Sequence, residues 1–195
     1  MKRKQIVEKK KKFFTKQKTL AYGMGGFIIL LMVASGLNMW KGDTTETYDY
    51  NGLKFTKTEE GFWIAYKGEQ QIALTYNPED LETITFPQNI ATMNYFQKIY
   101  ISTDDLKGNG RAMDYFKRKI TITNMKPFAC TEDNEGCAEL PLKSCEDTTQ
   151  TEGVVIFKRA EETKITYSNN CLVMEGASEN LIKAIDKLYF ILTGI

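Results

Sequence analysis

The amino-acid sequence predicts a domain of the mixed α/β (α+β) class that follows a single apolar helix. Three observations lead to this prediction: a long uncharged segment near the amino terminus, short β-prone runs that alternate with helical patterns, and an amphipathic helix at the carboxyl end. About 155 residues follow the uncharged segment, which is enough for one domain with a substantial core.

Residues 19–40 form the predicted membrane-spanning helix, because these 22 residues contain no charged side chain. At about 1.5 Å per residue the helix would be about 33 Å long, and a hydrocarbon core is about 30 Å thick. Tyr22 and Trp40 lie near its ends, where aromatic side chains favour lipid headgroups. A cleaved signal with its cleavage site at 33–36 is the alternative. The long basic leader and the apolar residues beyond that site favour an uncleaved anchor.

Charge predicts the orientation of this helix. Residues 1–18 contain nine Lys or Arg and one acidic residue, Glu8, for a net charge of +8; the whole chain has +1, so the remainder has −7. Because basic flanks stay inside, we expect a cytoplasmic tail at 1–18, a linker at 41–47 and an extracellular domain at 48–195. The lipid bilayer is thus an expected partner. No basic domain with interleaved aromatics accompanies the leader, so we expect no nucleic-acid binding.

The first part of the domain predicts a β-meander. Tyr48 to Lys57 is β-prone with a turn or bulge at Asn51-Gly52, and the runs at 62–66 and 71–76 are spaced as a hairpin. Asn77-Pro78 then predicts the cap and first position of a short helical turn that ends at Leu81.

The second part predicts strands that alternate with helices. Residues 108–110 (Gly-Asn-Gly) predict a turn, and apolar residues between Ala112 and Ile120 recur at helical spacing. The segment 178–192 predicts a carboxyl-terminal helix with one apolar face. Further β-prone runs lie at 98–102, 121–131, 154–157, 164–167 and 172–174.

The chain has four cysteines, and all of them follow the predicted span. An even number in an exported domain indicates disulfides. Three connectivities are possible, and we predict Cys130 with Cys137 and Cys145 with Cys171. The first pair would close a polar loop, and the second would join the loop before Val154 to the strand at 172–174. No C-x-x-C pair is present, which argues against structural zinc.

The chain contains no histidine. Catalytic sites that need a histidine, and metals held by histidine, are therefore excluded for this chain alone. No S-x-x-K dyad and no phosphate-binding loop of the G-x-x-x-x-G-K-[ST] type is present. We therefore expect a protein that binds without catalysis, with no cofactor and no metal.

Two acidic clusters are candidate ligand sites. Asp104 and Asp105 follow a predicted strand and precede a helix, a position where α/β domains often place ligand groups. A calcium loop that began at Asp105 would need a glutamate at the position of Phe116, so the pattern is incomplete. The second cluster, at 132–135, is equally typical of a solvated loop.

A set of short motifs runs through most of the chain. They are Tyr50 to Phe55, Gly61 to Trp63, Tyr76 to Leu81, the four cysteines with their preceding residues, Ala184 to Tyr189 and the final Gly194-Ile195. Together with the basic leader and single span, these motifs resemble uncharacterised single-pass membrane proteins of archaea. This resemblance implies an archaeal surface location and implies no activity. It also leads us to expect arginine in the relatives where this chain has Lys187.

Three functional classes follow from the sequence. The first is a membrane-anchored interaction or structural module that binds an envelope or membrane protein. The second is an exterior domain that binds a ligand through Asp104 and Asp105. The third is a hydrolase that works with carboxylates alone, for which Asp104, Asp105 and Glu132 are the candidates. Without catalytic motifs, we favour the first class.

Overall fold

The computed structural model describes residues 27–33 and 45–195, and the chain divides into two compact units at residue 45. Residues 27–33 are helical with exposed side chains. The rest of the predicted span, the tail at 1–18 and most of the linker lie outside the described residues. Within the two described ranges, no helix is both long enough and apolar enough to cross a membrane. Residues 45–195 form the larger of the two units.

The predicted meander is an antiparallel sheet of four strands in the order β1-β2-β3-β4. Residues 48–57 form two strands, because Asn51 and Gly52 both have positive φ (48° and 76°) and make a two-residue turn. The predicted helical turn is a 3-10 helix at Pro78–Leu81, capped by the side chain of Asn77. The strands are β1 (Thr47–Tyr50), β2 (Leu53–Lys57), β3 (Trp63–Lys67) and β4 (Gln70–Leu74).

The second sheet has five strands in the order β6-β5-β7-β9-β8. Its strands are β5 (Lys98–Thr103), β6 (Phe128–Cys130), β7 (Glu152–Lys158), β8 (Lys164–Ser168) and β9 (Cys171–Glu175). Only β8 runs antiparallel to its neighbour. Of the run predicted at 121–131, only Phe128–Cys130 forms a strand. A 3-10 helix at Gln88–Tyr95 precedes β5. The mixed α/β class is therefore confirmed.

The first long helix, α1, spans Leu106–Lys119, so the turn predicted at 108–110 is wrong. Asp105 caps the helix, because its carboxylate accepts the backbone N–H of Gly108 at 2.9 Å. A Cβ at Gly108 would collide with this carboxylate and would lie 2.8 Å from Cδ of Arg159. Glycine is therefore needed here for close approach, and the helix continues through it.

Asn109 explains why a turn-like sequence is helical. Its side chain is fully buried, and its amide donates to the hydroxyl of Thr103 (2.9 Å) and to the carbonyl of Phe157 (3.2 Å). These bonds fix the start of α1 against the carboxyl ends of β5 and β7. A tertiary contact thus outweighs the local turn preference of asparagine.

The carboxyl-terminal helix, α2 (Ser178–Thr193), lies between the two sheets. Its predicted apolar face, which includes Leu181, Ile185 and Leu188, joins α1 and the second sheet in one core cluster. The opposite side contributes Phe190 to a separate cluster with the inner face of the first sheet. The apolar face that was predicted is confirmed. The second buried face follows from the position of α2 between two sheets.

The two disulfides lie at different places on the second sheet, and only Cys145–Cys171 belongs to the apolar cluster on the face away from the helices. Cys145 is bonded to Cys171, which joins a 3-10 helix at Cys145–Asp147 to β9. Cys130 is bonded to Cys137, which ties the end of β6 to the loop that follows it. Both predicted pairings are confirmed.

Candidate functional site

A groove lies between the first sheet and α1, and we call it the α1 groove. It consists of two adjoining cavities of about 470 and 240 Å³. The larger cavity also reaches Glu60 and Arg111, and the smaller one reaches Ala73 and Lys119. The residues that line both cavities are Phe62, Thr75, Tyr115 and Arg118.

The helix wall of the α1 groove is basic. Arg111, Tyr115 and Arg118 lie at i, i+4 and i+7, so they share one face of α1. The opposite face of the helix buries Ala112 and Phe116 in the core. The sequence of α1 has five Lys or Arg and one Asp, a net charge of +4.

The rest of the domain is strongly acidic, which makes the charge of α1 distinctive. The chain has a net charge of +1, residues 1–18 contribute +8, and Lys41 and Asp43 cancel within 19–44; residues 45–195 therefore have −7. Without the +4 of α1, the remainder of this unit has −11.

Of the charged residues that line the α1 groove, Arg111 and Arg118 are basic, Lys119 is paired with Asp186, and Glu60 adds one carboxylate to the larger cavity. The groove is thus more cationic than the domain around it.

The sheet wall of the α1 groove presents an aromatic side chain. Phe62 precedes β3 and is 43% exposed. A turn holds it in place, because the N–H of Phe62 donates to the hydroxyl of Thr58 (3.1 Å) and the N–H of Thr58 donates to the carbonyl of Phe62 (2.7 Å). The groove therefore combines an apolar contact on one wall with positive charge on the other.

A buried carboxylate lies beneath the α1 groove. Asp186 of α2 is fully buried, and its carboxylate accepts the backbone N–H groups of Thr75 (2.8 Å) and Tyr76 (3.3 Å). The hydroxyl of Tyr115 donates to it at 2.5 Å. The ammonium of Lys119 lies 3.5 Å from it. We call these five residues the Asp186 cluster.

The Asp186 cluster also closes the free edge of β4. Lys119 donates to the carbonyl of Ala73, and the hydroxyl of Thr75 donates to Tyr115 at 2.9 Å. Backbone groups that an edge strand would leave unpaired are thus bonded to side chains of the two helices. The cluster therefore fixes the first sheet to α1 and α2.

Burial is the largest influence on the pKa values of Asp186, Tyr115 and Lys119 in this cluster. It raises the pKa of Asp186, against the opposing effects of Lys119 and of the three hydrogen-bond donors. It also raises the pKa of Tyr115, with the neighbouring Asp186 carboxylate adding to the effect, and it lowers the pKa of Lys119. Because Asp186 has no exposed surface, a ligand in the groove cannot reach it directly. Its role is positional, since it orients Tyr115 and Thr75.

The predicted ligand residues lie elsewhere. Asp105 is the cap of α1, and the carbonyl of Asp104 accepts the side-chain amide of Asn134 at 3.2 Å. Both aspartates are partly buried, and neither lines the α1 groove. Sequence reasoning missed the groove, because its members come from four segments that are distant in the sequence. The i, i+4, i+7 spacing of Arg111, Tyr115 and Arg118 is the one signal that could have indicated it.

A separate polar cavity of about 460 Å³ lies between β8, the start of α2 and the loop at 83–85. Lys164 and Lys183 contribute to its lining. Within 27–33 and 45–195, no three His, Cys, Asp or Glu residues are grouped so that they could hold a metal ion.

Comparisons with protein-family models, curated proteins and solved structures find no match for this chain. The resemblance to archaeal membrane proteins therefore stays an expectation from the sequence.

Proposed function

We propose that this protein is a membrane-anchored binding domain that binds a neighbouring envelope protein through the α1 groove. The observation that carries the proposal is the groove itself, where Arg111 and Arg118 face the exposed Phe62 on a domain that is otherwise acidic. Aromatic and arginine side chains are the residues that most often dominate protein interfaces.

The anchor and the exterior location belong to the same proposal. The uncharged segment at 19–40 and the charge of +8 at 1–18 support a single span with a cytoplasmic amino terminus. The two disulfides support an oxidising compartment for the domain. Tethering to a membrane would keep the domain close to other membrane proteins, which favours a partner in the envelope.

A ligand site or a hydrolytic site at Asp104 and Asp105 is less well supported. The carboxylate of Asp105 is engaged by the N–H of Gly108 at the start of α1. Neither aspartate lines any of the three cavities described above. Turnover of a surface glycan or peptide that disappears in Asp104→Asn or Asp105→Asn would nevertheless favour the enzyme over the binding domain.

Photocrosslinking in native membranes tests the proposal. A photoreactive phenylalanine analogue replaces Phe62 in the full chain, and in a matched control it replaces Tyr95, which is 80% exposed outside the groove. We expect one dominant adduct from position 62, with a membrane or envelope protein, that is lost in an added Arg118→Glu substitution. The same adducts from position 95, or adducts unaffected by Arg118→Glu, would contradict binding through the α1 groove.

A further inference from the structure

The charge and shape of the α1 groove specify the chemistry of its ligand, an inference that rests on the proposed binding function. We propose that the groove binds an extended acidic peptide segment of the partner protein. In this segment, one apolar residue lies between two acidic residues, and one further residue separates it from each of them.

The two carboxylates of the peptide would pair with Arg111 and Arg118. Both arginines line the larger cavity, and neither forms an ion pair within the described part of the chain. They are seven residues apart on α1, which is about 10.5 Å along the helix axis. In an extended peptide, residues i and i+4 point to the same side and are about 13 Å apart. The long arginine side chains can make up the difference between these two distances. Arginine also binds carboxylates through two parallel hydrogen bonds.

The apolar side chain of the peptide would lie in the middle of the α1 groove. Tyr115 lies between Arg111 and Arg118 on the same helix face, and Phe62 lies on the opposite wall. A side chain at position i+2 of the segment would lie between these two rings. Burying Phe62, now 43% exposed, would add apolar contact to the charge pairing.

The segment binds through its side chains and does not extend the first sheet. An added strand would need the free edge of β4, which the helices already occupy at two positions. Lys119 donates to the carbonyl of Ala73, and Asp186 accepts the N–H of Thr75. The bond to Thr75 is partly buried and the bond from Lys119 lies at the surface, and a peptide backbone would have to break both of them to pair with β4.

Peptide binding to the full chain in nanodiscs of neutral lipid tests this inference. The probe is a fluorescent five-residue peptide with glutamate at both ends, leucine in the centre and serine between; a second peptide has glutamine in place of glutamate. The variants are Arg111→Gln and Arg118→Gln, alone and together. Lys107→Gln is the matched control, since Lys107 is an exposed basic residue of α1 outside the groove.

We expect each arginine substitution to weaken binding of the glutamate peptide about five- to tenfold and Lys107→Gln to change it less than twofold. The glutamine peptide should bind at least tenfold more weakly than the glutamate peptide. Peptide binding that remains in the double variant is assigned to the basic residues at 1–18. This remaining binding is subtracted from the binding measured for the other variants.

Equal binding of the two peptides, or equal weakening by Lys107→Gln, would overturn the inference. Salt-sensitive self-association that is lost in the double variant would also overturn it, because the occupant would then be a second copy of this acidic chain. A partner that crosslinks at position 62, together with no binding of the glutamate peptide beyond that of the double variant, would overturn the ligand assignment and leave the proposed function standing.

Discussion

The two sheets are attached to the helices by different physical means. The second sheet shares one large apolar cluster with α1 and α2, and a disulfide on its other face adds a covalent link. The first sheet has its own apolar cluster around Phe190, but its edge is held by the buried carboxylate of Asp186. One helix, α2, thus buries an apolar face on one side and a charged group on the other.

This difference has consequences for stability and for the α1 groove. Apolar burial scales with area and tolerates small shifts, whereas a buried carboxylate needs every donor in place. The groove lies at the junction that depends on the carboxylate. We therefore expect substitutions in the Asp186 cluster to disturb the first sheet and the groove together, while the second sheet keeps its structure.

Asp186→Ala should give the largest effect. It leaves Lys119 and three hydrogen-bond donors without their carboxylate partner, and loss of one partner of a buried ion pair costs about 3–5 kcal/mol. Urea unfolding can measure this change through the fluorescence of Trp63, which is 4% exposed in the first sheet, once Trp40 is replaced by phenylalanine. Hydrogen exchange should show early loss of protection in β3 and β4.

Asp114→Ala is the matched control for this prediction, because Asp114 is exposed on α1. It should change stability by less than about 0.5 kcal/mol. If β5, β7 and β9 lose protection as early as β4 does in Asp186→Ala, the two sheets are not attached independently.

Removal of the Cys145–Cys171 bridge should come next. Substitution of both cysteines by alanine frees a loop of 26 residues, for which chain entropy predicts a loss of about 3.5 kcal/mol. The same change at Cys130 and Cys137, seven residues apart, should cost about 2.4 kcal/mol. Thermal unfolding of both variants checks the order. A greater loss at Cys130–Cys137 would show that contacts outweigh loop entropy there.

Tyr115→Phe should have a smaller effect that is confined to the junction. It removes a single donor to Asp186, while the two backbone donors and Lys119 remain. We expect a loss of about 1–2 kcal/mol in urea unfolding. Tyr100→Phe in β5 is the comparison, since its ring can keep stacking on Lys98 and Lys143. Equal losses of unfolding free energy in Tyr115→Phe and Tyr100→Phe would show that the hydrogen bond from Tyr115 to Asp186 has no special role in stability.

The smallest predicted effect is a loss of stability in acid through Asp147. Its carboxylate accepts the backbone N–H of Ser144, next to Cys145. The backbone N–H and then the hydroxyl of Ser144 hold the pKa of Asp147 below its usual range. Its stabilisation is therefore complete above the unfolded pKa of about 3.9 and is lost as pH falls through the lower folded value. The difference in Tm between the native chain and Asp147→Asn should be present at neutral pH and vanish in strong acid.

Asp186 should respond to pH in the opposite direction. Burial raises its folded pKa, so the part of the stability that depends on its titration falls as pH rises from the unfolded pKa to the folded pKa, while the hydrogen bonds to the carboxylate remain.

A difference in Tm between the native chain and Asp147→Asn that stays constant with pH would contradict the assignment of acid sensitivity to Asp147.

Sequence reasoning predicted much of the fold and little of the site. The hairpin and helix patterns are local, and the cysteine pairing followed from which loops could reach each other. The turn predicted at 108–110 failed because Asn109 finds hydrogen-bond partners in β5 and β7, and no local pattern contains those partners. Asp105 was predicted to bind a ligand, and it caps α1, a role that the same residue pattern also fits.

The sequence by itself determined the strands of the meander, the amphipathic face of α2 and the division of charge between leader and domain, because each depends on neighbours along the chain. The tertiary structure alone decided that Asp186 is buried and that Phe62 faces Arg111 and Arg118. These groups are 49 to 124 residues apart from Phe62 in the sequence. Their meeting depends on α2 lying between two sheets, and the energy of a buried charge depends on which donors surround it.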